Sequence, residues 1–310
     1  MKYINKKLTI EKVSVNNIAK KYGTPTYCYS YTKLRENILR FKKSFKSISP
    51  LICFAIKSNT NVRLIREIKK FGLGADVVSM GELMTAIKAG ISPKKIVFSG
   101  VGKTSEEIKY AISKKILLIN AESESEIKQI EKIAKLKKRK VQVGIRLNPN
   151  TDAKTLSQIS TGKKENKFGV NDKTFFQLVN YCKNSKIIDL KCLSVHIGSQ
   201  IQDHKPYEKM LKSITKILNK INYKFEFIDL GGGMGITYKS GEKKLNYKKY
   251  YLAIKKFLDN FNTKIIFEPG RSIIGNTGTL ISKVTYIKKS EQKNFIILDA
   301  AMNDLMRPAL

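Results

Sequence analysis

The sequence predicts an α/β protein built as a (β/α)8, TIM-like barrel. Three observations lead to this prediction. Short apolar segments recur along the chain, amphipathic lysine-rich helical patterns separate most of them, and polar or glycine residues follow where the apolar segments end. Strands that alternate with helices form parallel sheets with right-handed crossovers. Eight such units over roughly 220 residues fit a closed barrel, which typically takes about 250 residues.

The eight strands are predicted from apolar runs of strand length that end at turn-forming residues. They are placed at Leu51–Lys57, Leu73–Ser79, Lys95–Ser99, Ile116–Asn120, Val141–Leu147, Lys191–Ile197, Lys224–Leu230 and Lys264–Glu268. The helices between them are predicted from apolar residues at helical spacing, two of them with acidic first turns. They are placed at Val62–Lys70, Ser79–Lys88, Ser105–Lys114, Glu124–Lys137, Lys173–Lys183, Tyr207–Lys220 and Tyr247–Asn260.

A doubly wound open sheet is the alternative arrangement of the same elements. Such a sheet usually carries a glycine-rich turn after its first strand. Here the first strand ends in Lys57-Ser-Asn-Thr-Asn61 instead. The sequence therefore favours the barrel.

Composition indicates a soluble globular protein, with 42% hydrophobic and 27% charged residues. No apolar stretch approaches the roughly 18 residues of a membrane helix, and the first residues lack the apolar core of a signal peptide. The four cysteines form no C-x-x-C pair and no metal-binding spacing; they are Cys28, Cys53, Cys182 and Cys192. These features predict a cytoplasmic protein with reduced thiols, no membrane partner and no bound metal.

The net charge of +35 raises the possibility of a nucleic-acid-binding protein. The excess comes from 52 lysines against 8 arginines, and it is spread from end to end rather than gathered in a tail. The charge therefore does not by itself predict a nucleic-acid partner. The scarcity of arginine suggests that individual arginines mark places needing a planar, bidentate donor.

Lys57 closes the apolar run Leu51-Ile-Cys-Phe-Ala-Ile56 and precedes a run of turn formers. A lysine at the end of a buried strand is an amine held partly out of water. Desolvation lowers the pKa of a lysine and makes it a usable nucleophile for Schiff-base chemistry. Lys57 is therefore the candidate catalytic amine, although most lysines in such a chain are solvated surface residues.

Glycines follow the last two predicted strands, at Gly231–Gly233 and at Gly270 beside Arg271. In barrels of this type a phosphate site commonly lies in the loops after strands seven and eight. Glycines there let backbone N–H groups approach a phosphate closely. A tight turn is the alternative explanation of the triple glycine.

Two further polar residues lie at predicted strand ends. His196, followed by Gly198 and Ser199, could cover a flat ring while the serine hydroxyl bonds a phosphate; a satisfied core histidine is the alternative. Glu268 is a carboxylate that needs a partner, either Arg271 or a protonated ring nitrogen. Pyridoxal phosphate is the cofactor that needs a lysine, a phosphate cradle, a face contact and a partner for its pyridine nitrogen.

The motifs around these residues resemble those of the diaminopimelate decarboxylase family, which belongs to the alanine-racemase-like group of pyridoxal-phosphate enzymes. The resemblance runs from about Tyr22 to the last residue, in the family's order. It is carried by Phe54-Ala-Ile-Lys-Ser-Asn-Thr-Asn61, Ser194-Val-His-Ile-Gly-Ser-Gln200, Asp229-Leu-Gly-Gly-Gly-Met-Gly-Ile236, Glu268-Pro-Gly-Arg-Ser-Ile273 and Asp299-Ala-Ala-Met-Asn-Asp-Leu-Met-Arg-Pro-Ala-Leu310.

The resemblance implies a role for each matching residue. It implies that Lys57 carries the cofactor as a Schiff base and that His196 stacks on its ring. It implies that Arg271 and Arg307 grip the distal end of the substrate. The remaining cofactor contacts that it implies are Ser199, Gly232, Gly233, Glu268 on the pyridine nitrogen, Pro269, Gly270 and Arg271.

The resemblance also implies a reaction, the loss of carbon dioxide from the D-configured centre of meso-diaminopimelate to give L-lysine. A carboxylate facing the pyridine nitrogen argues against a racemase, which in this group typically places an arginine there. Polyamine-pathway decarboxylases share the fold but lack the Met302-Asn-Asp-Leu-Met-Arg-Pro-Ala309 run. A related pyridoxal-phosphate-dependent amino-acid decarboxylase is the alternative within the class.

The resemblance divides the chain into an N-terminal segment 1–30, a pyridoxal-phosphate barrel 31–270 and the start of a second, β-rich domain at 271–310. That domain would be built from both chain ends, with a strand near Thr26–Tyr29. The family continues beyond the matching motif at Leu310, which predicts an incomplete β-rich domain and a C-terminally truncated chain. A barrel that binds the cofactor without full catalysis is the resulting alternative. The full-length family forms a homodimer.

Overall fold

A computed structural model describes residues 1–153, 161–162 and 166–306. Its central feature is a closed barrel of eight parallel strands, which confirms the predicted fold class. The barrel strands are β5 (Leu51–Ala55), β6 (Gly74–Val77), β7 (Ile96–Phe98), β8 (Leu118–Ala121), β9 (Val141–Arg146), β10 (Ile188–Ser194), β11 (Phe227–Asp229) and β12 (Lys264–Phe267). The strands follow chain order around the barrel, and β12 pairs with β5 to close it.

The sixth barrel strand departs most from the prediction. It covers Ile188–Ser194, whereas the sequence predicted Lys191–Ile197. Ile188 and Leu190 are buried while Asp189 between them is half-buried, so the strand begins with an alternating pattern rather than an apolar run. Alternation of this kind marks a strand with one buried face.

Helices connect the barrel strands. They are α3 (Val62–Lys70), α4 (Met80–Lys88), α5 (Ser105–Lys114), α6 (Glu124–Leu136), α7 (Asp172–Lys183), α8 (Lys205–Leu218) and α9 (Tyr247–Leu258), and the single turn α10 (Arg271–Ile274) follows the last barrel strand. Ser79, Thr104 and Ser123 accept backbone N–H hydrogen bonds at the first turns of α4, α5 and α6. Caps of this type stabilise a helix by about 1 kcal/mol each and fix where the strand-to-helix loop ends.

The barrel interior changes character along its axis. One layer is apolar and consists of Cys53, Val97, Leu118, Cys192, Phe227 and Ile266. Asp76, Asn120 and Asp229 are polar residues that are also buried, and each lies at or near the carboxyl end of its strand. Burying polar groups is costly unless they are hydrogen-bonded. These buried polar residues are therefore concentrated at the carboxyl ends of the strands, and apolar packing does not account for them.

An aromatic cluster packs against the outside of the barrel strand β12. The helix α2 (Tyr31–Ser44), absent from the predicted elements, contributes Phe41, and Phe45 follows it. Phe45 lies 4.6 Å from Phe267 between ring centroids, and Tyr250 stacks on Tyr207 at 4.2 Å. These rings are buried, and aromatic pairs of this geometry contribute beyond simple area burial.

The chain divides into two compact units, Ile38–Gly275 and a second unit formed by 1–37 with 276–310. In the second unit, β1 (Lys2–Ile4), β2 (Lys7–Ile10) and β3 (Val13–Ser14) form an antiparallel sheet, followed by α1 (Val15–Tyr22). The strand β4 (Thr26–Tyr29) pairs with β13 (Gly278–Ile281), so the two chain ends share a sheet. A hairpin of β14 (Val284–Lys288) and β15 (Phe295–Leu298) follows. No helix among the described residues is long and apolar enough to cross a membrane.

Candidate active site

Lys57 lies at the carboxyl-end mouth of the barrel, on a short 3-10 turn (Ile56–Ser58) that follows β5. Its side chain is half exposed, and its Nζ lies 3.4 Å from Oδ2 of Asp76. Asp76 is buried on the neighbouring strand β6. The sequence placed Lys57 correctly at a strand end, but it did not identify Asp76 as its partner.

The pKa of Lys57 is raised rather than lowered. The Asp76 carboxylate is the largest cause, and Glu268 adds to it; together they outweigh the desolvation that acts in the opposite direction. Burial acts in the expected direction, but the predicted net lowering of the pKa of this lysine was wrong. Lys57 is therefore an ammonium at neutral pH, held beside the Asp76 carboxylate.

Glu268 follows β12 and is almost fully buried. Burial raises its pKa well above the usual range, and the negative charges of Asp229 and Asp76 raise it further. A side-chain hydrogen bond links Glu268 and Asp229, and burial raises the pKa of Asp229 to about 6. The ionisations of the two carboxyl groups therefore depend on each other. The predicted alternative partner, Arg271, contacts Ser199 and Tyr238 instead.

His196 follows β10 and has a fixed orientation. Its Nδ1 accepts a hydrogen bond of 3.1 Å from the backbone N–H of Gly232. Burial, reinforced by the positive charges of Arg146 and Lys57, lowers the pKa of His196 well below its usual value. A neutral imidazole that accepts at Nδ1 carries its proton on Nε2. The imidazole is therefore neutral and has a fixed orientation at the mouth of the barrel.

The triple glycine after β11 is required by the packing of the strand ends. A Cβ at Gly232 would lie 2.2 Å from the carbonyl oxygen of Glu268, and one at Gly233 would lie 2.3 Å from that of Gly198. Gly231 and Gly233 also have φ values of +64° and +88°, which side chains rarely adopt. The glycines let this loop, the Glu268 loop and the His196 loop approach within backbone contact.

Ser199, Arg271 and Tyr238 form a second polar group in the same cavity. Arg271 Nε donates to Ser199 Oγ over 3.4 Å, and an Arg271 Nη1 hydrogen bond joins the hydroxyl of Tyr238. Arginine and hydroxyl groups are suited to phosphate and carboxylate oxygens. The sequence predicted Ser199 and Arg271 here but not Tyr238.

These side chains line one cavity of about 360 Å³, within the range of about 300–1,000 Å³ typical of small-molecule sites. A hollow of about 350 Å³, lined by Lys94, Arg139 and Asp189 among others, lies at the amino ends of the strands. Volume alone therefore does not distinguish the site; the convergent amine, imidazole, carboxyl and guanidinium do. Arg307, also predicted as a site residue, lies outside the described residues.

The sequence did not predict Asp76 and Asp229 as site residues, and it gave Arg146, at the end of a predicted strand, no specific role. Arg146 Nη1 pairs with Glu122 Oε1 over 3.0 Å and lies against the ring of Phe168. Asp76 and Asp229 each interrupt an otherwise apolar buried strand, Gly74–Val77 and Phe227–Asp229. That interruption was the available signal, because a charged residue inside a buried strand must have partners on other strands.

The donor set fits pyridoxal phosphate. The site offers an amine for its aldehyde, a carboxyl for its ring nitrogen, a flat imidazole for its ring face, and a hydroxyl with glycine backbone N–H groups for its phosphate. A closed parallel barrel with this set at the carboxyl ends of its strands defines a pyridoxal-phosphate enzyme of the barrel class.

Comparison with known proteins agrees with that class. The family model for the pyridoxal-dependent decarboxylases, pyridoxal binding domain, matches residues 31–275. The diaminopimelate decarboxylase of Helicobacter pylori strain J99 is 43% identical over 292 residues, which cover 93% of this chain and 72% of that protein. That of Aquifex aeolicus is 39% identical over 313 residues, covering 100% of this chain and 74% of the relative.

Solved structures give the same result. The crystal structure of H. pylori diaminopimelate decarboxylase complexed with L-lysine superposes with a TM-score of 0.91 at 40% identity, covering 95% of this chain and 75% of that one. The enzyme from M. jannaschii in co-complex with L-lysine gives a TM-score of 0.92 at 33% identity, with coverages of 98% and 74%. The chain belongs to the diaminopimelate decarboxylase family.

Proposed function

We propose that this protein removes carbon dioxide from the D-configured centre of meso-diaminopimelate and forms L-lysine, with pyridoxal phosphate as cofactor. One observation carries the proposal. Lys57, His196, Glu268 and Arg271 come from four different strand ends and line one cavity. The relatives are diaminopimelate decarboxylases, and two solved relatives hold L-lysine, the product of this reaction.

Bound pyridoxal phosphate supplies an electron sink for the pair of electrons that remains when carbon dioxide leaves. Lys57 Nζ would hold the cofactor through its aldehyde. His196, whose orientation is fixed by the Gly232 N–H, would cover one face of the cofactor ring. Glu268 would hold a proton at the ring nitrogen. Phosphate contacts are assigned to the Ser199 hydroxyl and to backbone N–H groups of Gly232, Gly233, Gly270 and Arg271, and Pro269 would contact the cofactor without donating a hydrogen bond.

Asp76 forms an ion pair with Lys57 when the lysine is not attached to the cofactor. The contact of 3.4 Å between Nζ and Oδ2 holds the ammonium to one side of the cavity. Because the Asp76 carboxylate is buried, the attraction is screened less than a surface pair would be. Lys57 therefore stays within the mouth and leaves room for the substrate amine.

Arg271 is the residue proposed to bind the distal end of the substrate, together with Arg307. The Arg271 guanidinium is already held by Ser199 and Tyr238, so little side-chain freedom is lost when an anion arrives. A guanidinium fork matches a carboxylate in two parallel hydrogen bonds. This contact would favour a substrate that carries a carboxylate at its far end over an amino acid that carries only an amine there.

Two further assignments complete the proposal, a homodimeric state of the full-length protein and a cytoplasmic location. The four free cysteines, three of them buried, support a reducing compartment. Sedimentation equilibrium of the purified full-length protein tests the first assignment: a single species at twice the chain mass is expected, and a monomer at all concentrations contradicts it. Fractionation of the source cells tests the second.

The function is tested with meso-diaminopimelate labelled with carbon-13 at both carboxyls, incubated with the protein and pyridoxal phosphate. One labelled carbon dioxide is expected per L-lysine formed, and the lysine keeps one label. The L,L isomer, which lacks a D centre, is the control and should give neither product. Release of carbon dioxide from both isomers, or from neither, contradicts the proposed reaction.

A further inference from the structure

Glu268 belongs to a hydrogen-bonded network of four residues at the carboxyl ends of four barrel strands. Ser99 Oγ donates to Glu268 Oε1 over 3.3 Å, and Asn120 Nδ2 donates to Ser99 Oγ over 3.3 Å. Asn120 Nδ2 also donates to Asp229 Oδ2 over 3.1 Å. Asn120 thus joins Asp229 to the Ser99 hydroxyl that donates to Glu268. A side-chain hydrogen bond between Glu268 and Asp229 also contributes to the raised pKa of Glu268.

Asp229 and Asn120 are the two fully buried members of this network. Its Oδ2 accepts a second hydrogen bond from Ser194 Oγ over 3.3 Å, and its Oδ1 accepts one from the backbone N–H of Gly231 over 2.9 Å. A carboxylate that accepts several hydrogen bonds is held in one rotamer and stays chargeable despite burial. Asp229 is thus fixed from three directions, whereas Glu268 is fixed mainly through Asp229 and Ser99.

We propose that Asp229 is the positioning residue for Glu268: it orients the Glu268 carboxyl and shares one proton with it until the ring nitrogen of the cofactor takes that proton. The inference rests on the proposed function, since Glu268 there faces the ring nitrogen. This step moves one proton. Glu268 transfers one proton to the nitrogen and becomes a carboxylate, while Asp229 stays as it was and no electrons are exchanged.

The electrostatic surroundings support a shared proton. Two carboxyl groups in contact inside a barrel cannot both ionise without a large cost, so their protons leave in two coupled steps. Asp76 raises the pKa of both groups, and Lys57 lowers that of Glu268. The other titratable groups within reach of the pair are Cys53 on β5, Cys192 on β10 and Tyr250 on α9, and burial raises the pKa of each.

A purely structural role for Asp229 predicts something different. Its Oδ1 contact to Gly231 stabilises the turn into the triple glycine, and losing that contact would weaken folding without changing the titration of Glu268. The titration of the Glu268 carboxyl therefore distinguishes the two roles. Neither activity nor bound cofactor is needed to observe it.

The experiment uses cofactor-free protein in which glutamate is labelled with carbon-13 at the side-chain carboxyl, with Glu268→Gln identifying the Glu268 signal. In the unmodified protein the Glu268 signal should move in two steps as pH rises, a small one when Asp229 ionises and a large one at higher pH. In Asp229→Asn the small step should vanish and the large one should fall by about one pH unit or more. Asp189→Asn, the same change on a half-buried residue of β10 away from the site, should leave both steps in place.

A single Glu268 step in the unmodified protein, or the same titration in Asp229→Asn, overturns the inference. If Asp229→Asn does not fold, Ser194→Ala decides: loss of one donor to Asp229 should move the small step to higher pH, and an unmoved step overturns it. Adding pyridoxal phosphate to the unmodified protein should place the Glu268 signal at its ionised position near neutral pH. Absence of that change would refute the assignment of Glu268 to the ring nitrogen and leave the carboxyl pair standing.

Discussion

Lys57 Nζ lies 3.4 Å from Oδ2 of Asp76, and Asp76 Oδ1 has no hydrogen-bond partner among the described residues. One oxygen of the buried carboxylate thus contacts the lysine, and the other accepts no hydrogen bond from the described residues. That arrangement keeps the amine charged while it waits at the mouth of the barrel. It also explains why the pKa of this lysine is raised although its surroundings are partly desolvated.

Asp76→Asn should lower the pKa of Lys57, because the largest cause of its upward shift is removed. A larger fraction of Lys57 is then the free amine at neutral pH. We expect the rate of cofactor attachment to rise at neutral pH and its pH profile to move to lower pH, as followed by the long-wavelength absorbance in stopped flow. Asp189→Asn is the matched control. A profile that does not move would show that Asp76 does not govern this amine.

Gly232→Ala should destabilise the protein and disturb the site together. Its Cβ would lie 2.2 Å from the carbonyl oxygen of Glu268, so the strand ends must separate. Overpacking of this kind typically costs about 1–3 kcal/mol of unfolding free energy. Gly102→Ala is the control, since no atom lies within 4 Å of its Cβ position. Equal stability of the two variants in urea unfolding would contradict the close approach described here.

His196 should remain neutral throughout the physiological range. Its pKa is lowered well below the usual value, chiefly by burial, so its ring protons should show no titration step near neutral pH. Proton NMR is well suited to this, because the chain has two histidines and His204→Gln identifies the second signal. A His196 step near pH 6.5, the ordinary value, would mean that the imidazole is solvated and not held by Gly232.

The carboxyl pair should make the cofactor-free protein less stable as pH rises. Asp229 titrates at about 6 in the folded chain against an ordinary value of 3.8, and the pKa of Glu268 is raised as well. A raised acid pKa contributes stability below the unfolded value, and that contribution is lost as pH rises through the folded value. The loss therefore develops above about pH 4 and continues beyond pH 6.

Asp229→Asn should reduce this pH dependence, because one of the two buried ionisations is removed. Urea unfolding at about pH 5 and about pH 8 measures it: the unmodified protein should lose more stability between the two than the variant does. Comparing the differences cancels the contributions of titratable groups that do not interact with Asp229, and the lowered pKa of Glu268 in the variant acts in the same direction as the loss of Asp229. An equal loss in both proteins would contradict the raised pKa of Asp229.

The barrel was predictable from the sequence because its strands and helices differ in apolar period. The bounds of α3 and α5 agree with the prediction to the residue. The helix α2 was missed although Leu34, Ile38 and Phe41 recur at helical spacing and are buried. It precedes the first barrel strand, where the strand–helix alternation that guided the prediction had not begun.

The site was predictable only in part. Lys57, His196 and Glu268 stand at strand ends beside glycines and turn formers, and the barrel brings all strand ends to one mouth. Asp76 and Asp229 lie inside strands, and their partners come from strands distant in sequence. The sign of the Lys57 pKa shift depended on Asp76. Only the closed barrel places those groups together, and no local pattern reports that contact.

The central claim is that Lys57 is the residue that holds the cofactor. The direct measurement is reduction of the pyridoxal-phosphate-loaded protein with borohydride, followed by peptide mass spectrometry. The mass of the reduced cofactor is expected on the peptide that contains Lys57 and on no other, with none on that peptide in Lys57→Ala. Stoichiometric label on another lysine, or persistence of the bound cofactor's long-wavelength absorbance in Lys57→Ala, would contradict the account.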